Sequence, residues 1–101
     1  MTIAEQFLER GRKFNGTDTY EKKPEELATL LDEIRSAGQE HYFSEWHGNN
    51  GVVTFSDGSR IAWSDTCGFE IALMTAEELE RLKASDAKLD KGLMGHEREQ
   101  P

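Results

Sequence analysis

Between His41 and Leu73, four short runs of aromatic and β-branched residues alternate with clusters of turn formers, and this pattern limits the fold more than anything else in the chain. His41–Trp46 closes at Gly48-Asn49-Asn50-Gly51. Val52–Phe55 runs into Ser56-Asp57-Gly58, a strong short-range hairpin signal. Arg60–Trp63 gives way to Ser64-Asp65-Thr66, and Phe69–Leu73 completes the set. Links this short join only antiparallel neighbours, so the four runs read as a β-meander. Alternation places Val53, Phe55, Ile61, Trp63, Phe69, Ile71 and Leu73 on one face as its core side. Glu45, Thr54, Arg60 and Glu70 fall on the other, which is left for solvent or a partner.

Helical spacing brackets the meander. Thr2 and Glu5 form a capping box that opens a first helix, with Ile3, Phe7, Leu8 and Phe14 near one face and Asn15-Gly16 as its stop. A second helix begins at Pro24, where Glu25 and Glu26 suit the positive end of the helix dipole. Its Leu27, Leu30, Leu31 and Ile34 follow an i, i+3, i+4, i+7 stripe, and Gly38 ends it. Thr75 and Glu78 form another capping box ahead of a third helix that uses Leu79 and Leu82. The expected fold is therefore α+β: two N-terminal helices, a four-stranded antiparallel β-meander and a C-terminal helix. Helix two supplies the apolar cover for the core face. A single domain over residues 1–87 and a flexible tail over 88–101 complete the expected organisation. At 101 residues, with 36% apolar and 32% charged residues, the core must be small, burying about 60–65% of the unfolded surface.

Several function classes are disfavoured by the same residues. No apolar run approaches a membrane span, and no leader-like segment opens the chain. The lone Cys67 excludes an internal disulfide and suits a reducing cytoplasm. His41, His47, Cys67 and His96 lack the spacing of a metal site, so no metal and no cofactor is expected. Cys67 lies near Asp65 and Glu70, neighbours that disfavour a reactive thiolate. No nucleophile elbow and no phosphate-binding glycine loop occurs. The expectation is a protein without catalytic residues.

Charge carries the functional signal. The net charge is −8, and the span from Glu25 to Glu80 holds twelve acids against two bases, Arg35 and Arg60. Such a field repels nucleic acid and steers basic partners inward. Negative charge also serves simple solubility, but here it is regional: bases are plentiful at Arg10, Arg12, Lys13, Lys22, Lys23, Arg81 and Lys83. The candidate partner-binding acids are Glu25, Glu26, Asp32 and Glu33 on helix two, Asp57 and Asp65 at the turns, and Glu77, Glu78 and Glu80 on helix three. Carboxylates one helical turn apart stand about 5–6 Å from one another, a line of charge comparable to a nucleic-acid backbone.

The stretch Thr54-Phe55-Ser56-Asp57-Gly58-Ser59-Arg60-Ile61, then Ser64-Asp65-Thr66, then Phe69-Glu70-Ile71-Ala72 leading into Thr75-Ala76-Glu77-Glu78-Leu79, resembles small acidic phage-encoded type I anti-CRISPR proteins. The likeness covers about residues 46–82. The early helix and the basic cluster Arg10, Arg12 and Lys13 depart from that pattern. The resemblance implies a DNA mimic in a bacterial host cell. It would inhibit a CRISPR surveillance complex by occupying the basic surface where target or PAM duplex enters, and would bind no nucleic acid itself. The alternative is an acidic protein–protein adaptor or self-associating phage accessory domain. That reading anchors its interface on Trp46, Trp63, Phe43 or Tyr42, with Phe7, Leu8 and Phe14 as a possible homodimer face.

Overall fold

The computed structural model describes residues 1–19, 23–42, 50–64 and 68–85. The elements run α1 (Ile3–Gly11), a single 3-10 turn (Arg12–Phe14), α2 (Glu25–Ala37), β1 (Glu40–Tyr42), β2 (Gly51–Thr54), β3 (Arg60–Ser64) and β4 (Glu70–Leu73). They end in α3, whose described part covers residues 76–85. The four strands lie in the order β1-β2-β3-β4, each pair antiparallel, as the short links require. This is the expected α+β arrangement. The tail expected over residues 88–101 lies outside the described residues, as do 43–49 at the far end of the first expected strand.

Both expected capping boxes form. The Thr2 hydroxyl accepts the Glu5 N–H (3.1 Å) while the Glu5 carboxylate accepts the Thr2 N–H (2.8 Å). Thr75 and Glu78 repeat the exchange at 3.1 and 3.0 Å ahead of α3. Pro24 stands one position earlier than expected. It flanks α2 in an extended conformation (ψ 142°), and Glu25 is the first helical residue.

Strand register sorts the side chains into two faces. Val53, Ile61 and Leu73 share one face with Trp63 and Ile71, because directly paired residues point the same way. α1 and α2 cover this near face, where Leu27, Leu30, Leu31 and Ile34 pack with Val53, Phe55, Ile61, Trp63, Phe69 and Ile71. Each fully buried side chain of this kind contributes about 1.5–3 kcal/mol of transfer free energy. Leu73 breaks the expected pattern. It belongs to the near face by register but is 46% exposed, because β4 carries it past the edge of the helical cover.

The opposite face is the larger departure from the sequence reading. Tyr42, Val52, Ala62 and Ala72 form one row across all four strands on this far side. Val52 is 3% exposed and Thr54 is buried, so the β2 part of this face is covered, while Glu70 and Ala72 on β4 remain exposed. α3 lies over it: Leu79 is buried, and the Lys83 ammonium stands 5.7 Å from the centre of the Tyr42 ring. The sheet is thus sandwiched between α1 and α2 on one side and α3 on the other.

Candidate partner-binding surface

The candidate acids do not share one surface. Glu25, Glu26, Asp32 and Glu33 sit on α2, outside the near face, while Glu77, Glu78 and Glu80 sit on α3 across the sheet. The α2 acids are also largely compensated. Arg10 of α1 pairs with Glu33, Lys13 with Glu26 at 2.6 Å, and Arg35 with Asp32 at 3.3 Å. The basic cluster that looked remote in sequence therefore lies against the acidic helix in space. Among the described residues, Glu25 of this set has no ion pair.

Asp57 has a different task. Its carboxylate accepts the Ile3 N–H at 2.9 Å, and the adjacent Ser59 hydroxyl accepts the Ala4 N–H at 3.1 Å. With Thr2 holding the Glu5 N–H, the first three amides of α1 each have a separate acceptor, two of them supplied by the β2–β3 hairpin turn. Bonds from the Ser59 hydroxyl first, then from the Ile3 and Ser59 amides, lower the Asp57 pKa below the ordinary aspartate value of 3.8. Asp57 is thus engaged by its own chain. Glu78 is likewise held below the usual carboxylate range, chiefly by the Thr75 N–H of its capping box. Asp65 lies outside the described residues.

On the far side the compensation is thinner. Glu80 meets Lys83 only at 4.0 Å. Glu40, Glu70 and Glu77 are exposed and make no ion pair among the described residues. Sequence reasoning missed Glu40 and placed Glu70 on a face left for solvent or a partner without singling it out. Between α3 and the sheet lies a recess of about 240 Å³ whose lining includes Tyr42, Val52, Ala62, Ala72, Met74 and Leu82. It exists because the directly paired Ala62 and Ala72 have only methyl groups to fill the floor. Asn50, Ser64 and Glu70 border it on the same face, and the Asn50 Oδ1 is enclosed with no donor.

The aromatic anchors expected of an adaptor are differently placed. Trp63 is 4% exposed in the core, with the Arg35 guanidinium 5.4 Å from its ring centre. Phe14 is buried, and Phe7 stacks on Phe55 with ring centres 5.4 Å apart. Phe7 and Leu8, expected as a dimer face, are half-buried and pack against the core. Tyr42 and Trp63 both line the far-face recess and Phe7 is half-buried; Phe43 and Trp46 lie outside the described residues. Of the expected non-ligands, only His41 is described, on β1, and among the described residues no three of His, Cys, Asp and Glu converge as a metal site would require. No described helix is long and apolar enough to cross a membrane. In comparisons with known proteins, the chain matches no family model, no curated protein and no solved structure.

Proposed function

We propose that this chain is a non-enzymatic inhibitor that acts in a bacterial cell by binding the basic nucleic-acid-binding surface of a protein complex. It engages that surface through the far side of its sheet and α3. The observation that supports this reading is the distribution of unpaired charge. Near-side carboxylates Glu26, Asp32 and Glu33 are met by the chain's own bases, whereas on the far side Glu40, Glu70 and Glu77 have no ion pair among the described residues and Glu70 borders an apolar recess. A binding face needs both properties, because charge steers association while a desolvated apolar centre holds the complex. The resemblance over residues 46–82 makes a type I CRISPR surveillance complex the first partner to test. An acid line running through α2 is the weaker version of the mimicry, since Glu26, Asp32 and Glu33 there are already paired.

The test is capture of the purified complex on immobilised protein, eluted in salt steps and challenged with target duplex. Capture that duplex DNA blocks and salt releases supports the proposal. Glu70→Gln with Glu77→Gln should weaken capture, by at most about five-fold per charge, while Glu26→Gln with Glu33→Gln should leave it nearly unchanged. The reverse ranking would return the binding face to α2. Capture indifferent to DNA would sink the inhibitor reading. A self-associating accessory domain is the second reading, favoured by the exposed Leu73 on the outer strand. Light scattering distinguishes it: a dimer that Leu73→Ser dissociates would support self-association.

A further inference from the structure

We infer that the far-face recess receives a single arginine side chain from the basic partner. Its methylenes would lie on Val52, Ala62 and Ala72, with its guanidinium over Ser64 between Asn50 and Glu70. This inference rests on the reading above that the partner surface is basic, and it names the chemistry of the contact. Size is the first argument. About 240 Å³ falls below the roughly 300–1,000 Å³ of sites that enclose drug-sized ligands, so the space suits one long side chain.

Register supplies the second argument. The row Tyr42, Val52, Ala62, Ala72 makes an apolar floor across the sheet. The next row on the same face pairs Ser64 with Glu70, and Asn50 extends it from the residue before β2. An apolar strip therefore ends at a border that includes two acceptors, the Glu70 carboxylate and the Asn50 Oδ1. Glu70 is exposed and unpaired, and the Asn50 Oδ1 is enclosed without a donor. An enclosed acceptor with no partner is costly and rare, and a turn of the Asn50 amide toward the recess would bring it a donor from an occupant. The occupant must combine an apolar stem with a cationic head rich in N–H groups. Lysine and arginine both have the stem. The planar guanidinium adds five fixed donors, enough to address a carboxylate on one side and an amide oxygen on the other. Lys83 does not already fill the role, because its ammonium lies over Tyr42, at the opposite end of the apolar row from Ala72.

The experiment is an NMR titration of the isotope-labelled full chain with four probes: the N-acetyl amides of arginine, lysine, citrulline and norleucine. Arginine amide should shift the methyl signals of Ala62, Ala72 and Leu82 and the side-chain amide of Asn50, saturably and in the millimolar range. Each other probe should bind at least five-fold more weakly. Glu70→Gln should weaken arginine binding at least five-fold, and Ala72→Leu, which fills the floor, should abolish the methyl shifts. If Ala72→Leu lowers the thermal midpoint, the exposed Glu70→Gln variant carries the test. Equal response to citrulline or norleucine would overturn the inference by showing a merely apolar recess. Equal response to lysine would overturn the choice of arginine. Shifts confined to other exposed carboxylates would place the cation elsewhere and overturn it as well. Failure here is distinguishable from failure of the proposed function. Undiminished DNA-competitive capture by Ala72→Leu overturns the recess alone, whereas arginine binding without any capture of the complex overturns the inhibitor reading alone.

Discussion

Asn15 closes the outer edge of the sheet with one side chain. Its Oδ1 accepts the Ile71 N–H at 2.8 Å and its Nδ2 donates to the Ile71 carbonyl at 3.3 Å, so an amide group imitates the backbone of a missing neighbour strand. The main chain just beyond continues the pairing: Gly16 N–H donates to the Phe69 carbonyl, and Phe69 N–H to that of Thr17, both at 2.8 Å. An exposed edge invites association with other chains, and here two residues of β4 and its approach are sealed. Asn15→Ala leaves both part-buried Ile71 groups without partners and should cost about 1–3 kcal/mol in chemical denaturation. Asn15→Asp retains the acceptor but loses the donor, and should fall between wild type and alanine at neutral pH. A loss in Asn15→Ala indistinguishable from zero would mean that water replaces the amide at no cost. Asp57 gives the second prediction at this scale. Its pKa is lowered by folding, so its contribution is fully present above the unfolded value near 3.8 and disappears as pH falls through the lower folded value. Acid unfolding followed by circular dichroism should therefore lose part of its pH dependence in that window in Asp57→Asn. An unchanged acid transition would show that Asp57 takes no part in it. Neither role was visible in the chain, because Asp57 and Ile3 lie 54 residues apart and Asn15 and Ile71 lie 56 apart. Asp57 appeared as an acid at a turn, and only the fold brings the turn to a helix end.

Elements whose cause is local were legible; those defined by their neighbours were not. The α2 stripe Leu27, Leu30, Leu31 and Ile34 is all buried, as its spacing requires. The strand order followed from link lengths alone. Gly38 ends α2 as expected but for another reason than the usual left-handed glycine. Its φ is −74°, and a Cβ there would stand 2.1 Å from the Val53 Cγ1, so the position is glycine because a buried strand residue occupies the space. Gly11 differs: its Cβ would meet the ends of Ile71 and Leu30 at 3.1 Å, side-chain tips that can shift. Gly38→Ala should thus destabilise by about 1–3 kcal/mol through overpacking. Gly11→Ala falls at the last residue of α1, where alanine keeps at most the preference of about 1 kcal/mol it has in a helix interior, and should change stability less. Thermal unfolding of the two variants checks the ranking, and equal losses would refute it. The far face escaped the sequence reading because its floor is built from Ala62 and Ala72. Beside Glu70, Thr54 and Arg60, two alanines read as the unremarkable half of an alternating pattern, and no periodicity says that α3 returns to this side of the sheet.

At the scale of the whole molecule, the sequence separates charge that the fold brings together. A span of twelve acids and two bases reads as one repulsive block, yet Arg10 reaches Glu33 and Lys13 reaches Glu26 across the α1–α2 contact. Two electrostatic terms then oppose each other. Contact pairs such as Lys13–Glu26 at 2.6 Å stabilise weakly, each by about 0.2–1 kcal/mol at exposed positions. The net charge of −8 destabilises the compact state through repulsion over longer distances. Salt separates the two because screening acts by range: the Debye length falls from about 30 Å at 0.01 M to about 8 Å at 0.15 M. Repulsion between carboxylates on opposite sides of the sheet is largely removed over that interval, while pairs in contact are affected less. The thermal midpoint of the full chain should therefore rise between these two salt concentrations. In Arg10→Gln with Lys13→Gln, which removes two bases and raises the net negative charge, the midpoint should be lower than wild type and the rise with salt steeper. Scanning calorimetry at both concentrations reads the two slopes. A midpoint that falls with salt in the wild-type chain would mean that the ion pairs outweigh the repulsion. The excess negative charge would then carry no stability cost, and its concentration in this domain would need no partner to account for it.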